Sequence, residues 1–318
     1  WRKETEDLLF QIPVAGVVGG SAAAPAVNIA TMLNQGVDIQ LITRGGLTRD
    51  LRYEVTLNNS FLQNEITFMA PGIDFFDGGA YRGIGPIRNA VGQPLSSFFG
   101  YRVLGYFNSE AEVQNSPEQP GAGLGRFRYE DINGDGVITP DDRTFIGDPV
   151  PDYTGGYTFS LFYKNFGLNM YWYASVGGEI FNQSKWFTDF FGTFEGSGKG
   201  VRAKESWTPE LGNDAKAPIW ESISNISTSG AENSWYVEDG SFLRLQQLAL
   251  SYDFSTGLIE RWGLSRLRLS LAANNLVTFT RYSGLDPMVG GGADTNFGVD
   301  VGNYPVTRGY TFTLGVTF

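Results

Sequence analysis

The chain has 318 residues, a formal net charge of −11, no cysteine and no histidine. Disulfides and thiolate metal sites are therefore excluded, and the usual general base and the commonest transition-metal ligand are missing. The acidic charge argues against nucleic acid as a partner, because proteins that bind it carry basic patches that neutralise phosphates. Glycine (42 residues) and aromatic residues (14%) are abundant, which suits a bacterial envelope protein.

The amino terminus reads WRKETEDLLFQIP, which already has the character of folded structure. It shows no signal peptide, and no apolar run in the chain approaches the ~20 residues that a membrane helix needs. From this abrupt start we expect a fragment or a processed product of a longer protein.

Strict alternation of apolar and polar side chains dominates the sequence, and a period of two is typical of β-strands. Helical periodicity is nowhere sustained. The alternation in 241–254 is interrupted near Gln246 and Gln247, where a β-bulge would explain the break. In chain order the predicted strands are 1–12 (the weakest), 37–43, 51–62, 154–163, 168–177, 241–254, 265–277 and 308–318.

Short and long connectors alternate strictly between these strands. An antiparallel meander with short turns at one end and long loops at the other has this pattern. Transmembrane barrels show it, with short periplasmic turns and long extracellular loops. Most of the predicted strands also approach the 9–11 residues that a crossing needs. The predicted extracellular loops are about 13–36, 63–153, 178–240 and 278–307.

A soluble β-sandwich is the alternative, since its strands alternate in the same way. Charged residues opposite the apolar face, such as Arg52, Glu54 and Arg268, suit a wet lumen and a sandwich exterior equally. The uneven connectors favour the barrel, as does a last strand that ends on an aromatic residue. A barrel would place an aromatic girdle at the short-turn end, formed by Tyr163, Phe166, Tyr252, Phe254, Trp262 and Phe318.

The segment 131–142, DINGDGVITPDD, has the spacing of a calcium loop. Gly136 falls where such a loop turns sharply, and hard oxygen ligands suit Ca²⁺. The segment departs from an EF-hand because its last ligand is aspartate, which reaches less far than glutamate, and because its flanks are not helical. The alternative is an Asx-rich turn held by its own backbone hydrogen bonds. The candidate ligands are Asp131, Asn133, Asp135, the Val137 carbonyl and Asp142.

The connector 178–240 is rich in aromatic residues, which could stack on sugar rings or pack against a partner protein. The alternative is that they form the loop's own small core, because a long ordered loop must bury something. The candidates for contact are Trp186, Trp207, Trp220, Trp235 and Tyr236.

Four segments resemble the SusC-type TonB-dependent transporters of the Bacteroidetes (the SusC/RagA family). They are VGQPLSSFFGYRVLGYF (91–107), the stretch 126–157 around the calcium loop, WYVEDGSFLRLQQLALSYDF (235–254) and LAANNLVTFTRYSGLDP (271–287). The resemblance covers essentially the whole chain and about the last third of such a transporter. It implies an all-β fold in which this chain supplies about eight strands of a 22-stranded transmembrane barrel. The plug and the amino-terminal domains of the family are absent from this chain.

The resemblance also implies a place in the bacterial outer membrane, with membrane lipid around the apolar face. It implies import of oligosaccharides or peptides together with a SusD-like lipoprotein lid, and coupling to the TonB complex through parts outside this chain. The last strand resembles the signal read by the outer-membrane assembly machinery, although a lipid-facing strand requires the same side chains. That signal would comprise Tyr310, Phe312, Leu314, Val316 and Phe318.

A small stand-alone eight-stranded outer-membrane barrel with a structural or adhesive role is the second hypothesis. An enzyme is the weakest one, because the chain has neither histidine nor cysteine and lacks a G-x-S-x-G motif. Carboxylates are numerous, but the sequence singles out no catalytic pair among them. We therefore predict no catalytic residue.

Overall fold

The computed structural model describes residues 1–11, 26–288 and 297–318. The strands are β1 (Arg2–Gln11), β2 (Ala26–Gly46), β3 (Leu51–Met69), β4 (Phe75–Asp77), β5 (Arg88–Ala90), β6 (Phe98–Tyr101), β7 (Val103–Tyr106), β8 (Phe127–Tyr129), β9 (Arg143–Gly147), β10 (Tyr153–Tyr163), β11 (Phe166–Val176), β12 (Glu179–Phe181), β13 (Val237–Asp239), β14 (Phe242–Asp253), β15 (Arg266–Thr280) and β16 (Gly309–Thr317). The α-helices are α1 (Glu110–Asn115), α2 (Ser184–Thr188) and α3 (Thr256–Ile259). Turns of 3-10 helix cover Pro140–Asp142, Val201–Glu205, Gly212–Asp214, Ser234–Tyr236 and Glu260–Trp262. In the described part of the chain, no helix is long and apolar enough to cross a membrane.

Eight strands form one continuous antiparallel sheet in the order β1-β2-β3-β10-β11-β14-β15-β16. Each of these eight strands pairs with the next of the eight along the chain, so the sheet is the predicted up-and-down meander. The other sheets are two-stranded and lie in the long connectors. Among the described residues β1 and β16 do not pair with each other. The structure therefore shows neither a two-sheet sandwich nor a closed eight-stranded barrel, the two alternatives that the sequence left open.

Strand pairing aligns the apolar side chains into rows that cross the sheet, and it does the same for the polar side chains. One row on the apolar face runs through Leu161, Leu168, Leu250, Leu271 and Phe312, each directly opposite the next. Shifting by one residue gives the opposite face, where Glu54, Ser160 and Asn169 are aligned in the same way. The sheet thus has one apolar and one polar face, as the alternation predicts.

The apolar face is not covered by any other part of the chain that the structure describes. Its side chains include Val37, Ile39, Leu41, Phe312 and Leu314, each more than half exposed. An apolar surface of this extent is unusual on a monomeric protein in water and marks an interaction surface. It is the surface expected of a transmembrane barrel wall.

A β-bulge at Gln246 confirms the irregularity that the sequence indicated. Leu245 pairs with Trp172 and Gln247 pairs with the preceding residue, Tyr171, so Gln246 is the extra residue. The bulge puts Leu245 and Leu248, three residues apart, on the same apolar face. Without such an insertion, residues three apart would point to opposite faces.

The length of β10 matches the thickness of a membrane. Its 11 residues rise by about 28 Å at ~3.3 Å per residue and a tilt of roughly 40°, close to the ~25 Å apolar band of transmembrane barrels. Tyr153 and Tyr163 lie at its two ends. At the short-turn end the ring centroids of Phe166 and Tyr252 are 4.6 Å apart, and those of Tyr252 and Phe254 are 4.9 Å apart, as a girdle would place them.

Three strands are longer than the sequence indicated: β15 runs to Thr280, three residues into the predicted loop 278–307, and β2 and β3 are extended much further. Residues 26–36 of β2 and 63–69 of β3, which we expected in loops, continue the hairpin beyond the length needed to cross a membrane. Ala30, Ile66 and Met69 are buried there against a loop segment rather than exposed. Because one side packs on protein, the simple alternation that revealed the other strands is lost. The earlier part of that predicted loop, up to residue 25, and residues 289–296 of the last one lie outside the described residues.

Charge on the two faces should have opposite consequences. Met170→Arg puts a cation on the apolar face halfway along β11 and should destabilise the folded barrel in vesicles by about 2–4 kcal/mol. Asn169→Arg is the matched control on the polar face, where only the 2.8 Å hydrogen bond to Ser160 is lost, a cost of about 1 kcal/mol. Urea unfolding of the protein in vesicles measures both free energies. Equal destabilisation would contradict the assignment of the two faces.

Candidate functional site

The long connectors fold together at one end of the sheet. We call the described residues of 70–152, 177–240 and 281–308 the outer-loop module. Partly buried residues, among them Trp186, Trp235 and Val299, pack against its core. These connectors therefore form a folded unit at the mouth of the barrel wall. Its buried core comprises Ile84, Ile87, Phe98, Tyr101, Tyr106, Phe127, Tyr129, Ile138, Phe181, Phe190, Trp207, Ala215, Ala231 and Tyr236.

The five aromatic residues suggested for ligand or lid contact have different surroundings. Tyr236 is fully buried and Trp207 nearly so; the Trp207 indole nitrogen donates a hydrogen bond of 2.9 Å to Asn108. Trp186 and Trp235 pack against the same core. These four rings stabilise the module, which is the alternative that the sequence analysis gave. Trp220, which is 40% exposed, is the one of the five that presents its ring to the outside.

Trp220 forms an exposed pair with Phe191. Their ring centroids are 5.5 Å apart in an edge-to-face arrangement, and Phe191 is also 40% exposed. The pair is held by close packing of the backbone: a Cβ on Gly192 would lie 2.7 Å from the Ser222 carbonyl oxygen. A side chain at position 192 would therefore push apart the two backbone segments that carry Phe191 and Trp220.

A second exposed group surrounds Arg82. Its guanidinium carbon lies 4.8 Å from the centroid of the Phe194 ring and 5.8 Å from that of Tyr81, within the range of cation–π attraction. Phe187 joins the two aromatic residues, with its ring centroid 5.5 Å from Phe194. Arg82 and Phe194 both have positive φ, of 56° and 47°. Such a conformation is costly for bulky residues, and it often marks functional positions.

Sequence reasoning missed this second group. Tyr81 and Arg82 lie in one connector and Phe194 in another, and no local motif marks their proximity. The aromatic density of 178–240 was the available signal, but it does not distinguish a ring in the core from a ring on the surface. That distinction depends on packing between connectors that are distant in sequence.

Buried ion pairs connect the parts of the module. Lys185 donates to Glu238 at 2.7 Å, and both side chains are largely buried. The Ser283 hydroxyl and backbone N–H also donate to Glu238, and these bonds tie connector 281–308 to connector 177–240. Burial acts to raise the pKa of Glu238, but Lys185 and Ser283 together outweigh it and hold the pKa below its ordinary value. The carboxylate therefore stays charged at neutral pH.

A similar pair ties the last connector to the sheet. Arg244 is 2% exposed on the polar face of β14 and donates to Asp286 at 2.6 Å. Asp286 also accepts the backbone N–H groups of Met288 and Val306. Its pKa is raised by burial but lowered more strongly by these donors, so it lies below its ordinary value. The module is thus fixed to the barrel wall by charge as well as by packing.

The polar face carries a cavity of about 440 Å³ below the module. Side chains from neighbouring strands are linked across it: Gln40 donates to Asn58 at 2.8 Å and Ser60 to Asp38 at 2.5 Å. Tyr171 packs over Gly156, where an added Cβ would lie 3.1 Å from the tyrosine hydroxyl. Amides, hydroxyls and a phenol form a wall that can exchange hydrogen bonds with polar molecules passing along it.

The loop 131–142 is a tight turn held by its own backbone. Asp131 accepts the N–H groups of Gly134 and Gly136 at 2.7 and 2.9 Å. Both glycines have positive φ, of 73° and 86°, which the sharp turn needs. Asp135 accepts the N–H of Val137 at 2.9 Å and donates its own to Asn133. The oxygen-bearing side chains that were suggested as ligands are thus gathered in one turn.

Asp142 closes this loop from inside. It is buried and accepts the N–H groups of Ile132 and Thr139 at 2.9 and 2.8 Å. Burial acts to raise the pKa of Asp142, but these backbone donors outweigh it and lower the pKa. Among the residues that the structure describes, no group of three or more aspartate and glutamate side chains is arranged to hold a metal ion.

Known proteins resemble this chain along its whole length. TonB-dependent receptor P3 of Formosa agariphila is 31% identical over 333 residues, which cover 99% of this chain and 31% of that protein. TonB-dependent receptor SusC of Bacteroides thetaiotaomicron is 24% identical over 331 residues, covering 99% and 29%. A solved structure of the RagAB peptide transporter superposes with a TM-score of 0.78 at 22% identity, covering 100% of this chain and 32% of that one. No protein-family model matches the sequence.

The chain is thus similar over 99% of its length to TonB-dependent receptors, SusC among them, and its sheet has the fold of a section of the RagAB transporter's β-barrel. It spans about a third of the length of the curated relatives. These relatives are receptors and transporters rather than enzymes, which supports the prediction that the chain is not an enzyme. The predicted fold class and location are thereby confirmed.

The buried pair Lys185–Glu238 should matter far more than an exposed pair of the same length. Glu238→Gln removes the carboxylate that Lys185 contacts in its buried site and should destabilise the outer-loop module by about 3–5 kcal/mol. Glu130→Gln is the control, because Glu130 meets Arg102 at the same 2.7 Å but on the surface, where such pairs contribute about 0–1 kcal/mol.

Limited proteolysis of the full-length receptor in detergent measures both variants. We expect rapid cleavage within 177–240 in the Glu238→Gln variant and unchanged cleavage in the control. Similar cleavage of the two would show that the buried pair does not hold the module together.

Proposed function

We propose that this chain is the part of an outer-membrane importer that forms one section of the barrel wall and much of its mouth. The cargo class is oligosaccharide or peptide, taken up with a SusD-like lipoprotein over the mouth. Energy would come from the TonB complex through segments outside this chain. The observation that carries the proposal is the combination of a sheet with one apolar and one polar face and a folded module at one end. The similarity to SusC and to the RagAB peptide transporter supports it.

The two exposed aromatic groups are the proposed contact surface for cargo or lid. Phe191 and Trp220 offer ring faces without a charge, whereas Tyr81, Phe187 and Phe194 surround the Arg82 cation. Aromatic and arginine side chains contribute most to binding at protein interfaces, and aromatic rings also stack on sugars. The buried rings of Trp207 and Tyr236 belong to the module core and are not part of the proposed surface.

Removing the exposed rings should impair uptake without unfolding the barrel. The double substitution Phe191→Ala with Trp220→Ala should lower uptake about tenfold, the effect of losing one good aromatic contact. Uptake by whole cells of a labelled oligosaccharide pool and of a labelled peptide pool is the measurement. Whichever pool responds identifies the cargo class.

The control is Tyr304→Ala, which removes an 86% exposed ring elsewhere in the module. Surface abundance of each variant is compared with an antibody against the receptor. Normal uptake of both pools by the double variant, at normal abundance, would remove these residues from the contact surface.

We also propose that the loop 131–142 binds Ca²⁺ in a structural role. The oxygens of Asp131, Asn133 and Asp135 and the Val137 carbonyl would hold the ion, with Asp142 closing the loop from inside. What supports the proposal is the ligand spacing, two glycines at the turn positions, and Ile138, which is buried in the module core and anchors the loop. The alternative is that the hydrogen bonds described above are sufficient by themselves.

A chelator distinguishes the two. In the unmodified receptor, EDTA should accelerate proteolysis near residue 131, and added Ca²⁺ should restore protection. Asp131→Ala combined with Asp135→Ala should abolish this response, whereas Asp141→Ala, an exposed carboxylate next to Asp142, should preserve it. Absence of any EDTA effect in the unmodified protein would establish the self-sufficient turn.

A further inference from the structure

The apolar face of the sheet is not smooth. Near the short-turn end it contains a groove of about 300 Å³ with almost wholly apolar walls, which crosses β10, β11, β14, β15 and β16. Its floor is the backbone of Gly167, Ser251 and Ser270. These residues alternate with the apolar ones along their strands, so the serine hydroxyls point to the polar face. The wall away from the short turns is the row through Leu161, Leu168, Leu250, Leu271 and Phe312.

The opposite wall of the groove is largely aromatic. It consists of Tyr163, Phe166 and Tyr252, residues of the girdle at the short-turn end, and Leu269, which lies opposite Tyr252 on β15. The rings of Phe166 and Tyr252 touch, with centroids 4.6 Å apart. The groove therefore lies just inside the hydrocarbon, directly beneath the boundary where headgroups begin.

A cation stands at this boundary. Lys164 occupies the turn between Tyr163 and Phe166, and its ammonium group lies 5.4 Å from the centroid of the Tyr163 ring. Its one carboxylate neighbour among the described residues is Asp50, at 4.0 Å, and the Lys164 side chain is 59% exposed. An exposed pair at that distance is weak, so the ammonium group remains available to an anion.

We propose that this groove is a binding site for one phospholipid of the inner leaflet, with an acyl chain in the groove and the phosphate against Lys164. Five strands spaced ~4.8 Å apart give a groove about 19 Å long, enough for a chain lying obliquely in a leaflet roughly 15 Å thick. Apolar walls match the chain, and a cation just beyond an aromatic rim matches the phosphate. The site depends on the membrane position of the sheet and not on the cargo of the importer.

The proposal is tested with full-length receptor in vesicles that contain phosphatidylglycerol with a photoactivatable diazirine in its acyl chain. Mass spectrometry then locates the labelled peptides. We expect labelling around Leu168 and Leu250 to exceed labelling around Leu41 on β2, which has similar exposure (55% against 50% for Leu250) but lies outside the groove.

Two variants and their controls keep the outcome clear. Leu250→Trp fills the groove and should lower labelling there about tenfold, whereas Leu41→Trp should leave it unchanged. Lys164→Gln should lower it about fivefold, whereas Arg49→Gln, in the neighbouring short turn, should not.

Equal labelling of the two regions, or unchanged labelling in both groove variants, would overturn the proposal. Crosslinks joining Leu168 or Leu250 to a second receptor molecule in place of lipid would also overturn it, because the groove would then be an interface between copies.

Discussion

Hydrocarbon offers no partner to a backbone N–H or C=O group, and this constraint underlies the whole structure. A continuous sheet of hydrogen-bonded strands satisfies it, and the strands then force successive side chains to opposite sides. One side must therefore be apolar throughout and the other is free to be polar. The bulge at Gln246 shows how strictly this holds, because an extra residue restores the phase of Leu245 with Leu248. A barrel wall and a wet interior follow from the same pairing.

The outer-loop module buries its apolar side chains in a different way. Connectors that leave the sheet cannot use hydrocarbon to bury their apolar residues, so they pack on one another instead. Tyr236 and Trp207 fill that core, and the buried charges of Lys185 and Arg244 fix its parts to each other and to the wall. The rings left outside, around Trp220 and Arg82, are thereby held in fixed positions. Rigid support of this kind is what a contact surface needs if binding is not to cost much conformational entropy.

The sequence predicted the fold better than the site. Alternation located all eight long strands, because apolar and polar residues must alternate along a strand that has one side against lipid. It failed for 26–36 and 63–69, where one face packs on a loop and apolar residues such as Ala30 and Ile66 follow the shape of that loop. It could not show that Trp207 is buried, or bring Arg82 to Phe194, since the contacts of Trp207 with Asn108 and of Arg82 with Phe194 join segments about a hundred residues apart. The turn at 131–142 could be predicted because its geometry depends on residues close together in sequence. Its occupancy by Ca²⁺ depends on the free energy of binding, which the spacing of the ligands does not determine.

The most direct test of the assigned faces uses the natural absence of cysteine. Single cysteines at Leu271 and Ser270, adjacent on β15, are labelled with an environment-sensitive fluorophore in the full-length receptor in vesicles. Brominated acyl chains should quench the label at position 271 and leave that at 270 bright, and aqueous iodide should do the reverse. Quenching of both positions by iodide alone would show that the apolar face is not in contact with lipid and would contradict the account.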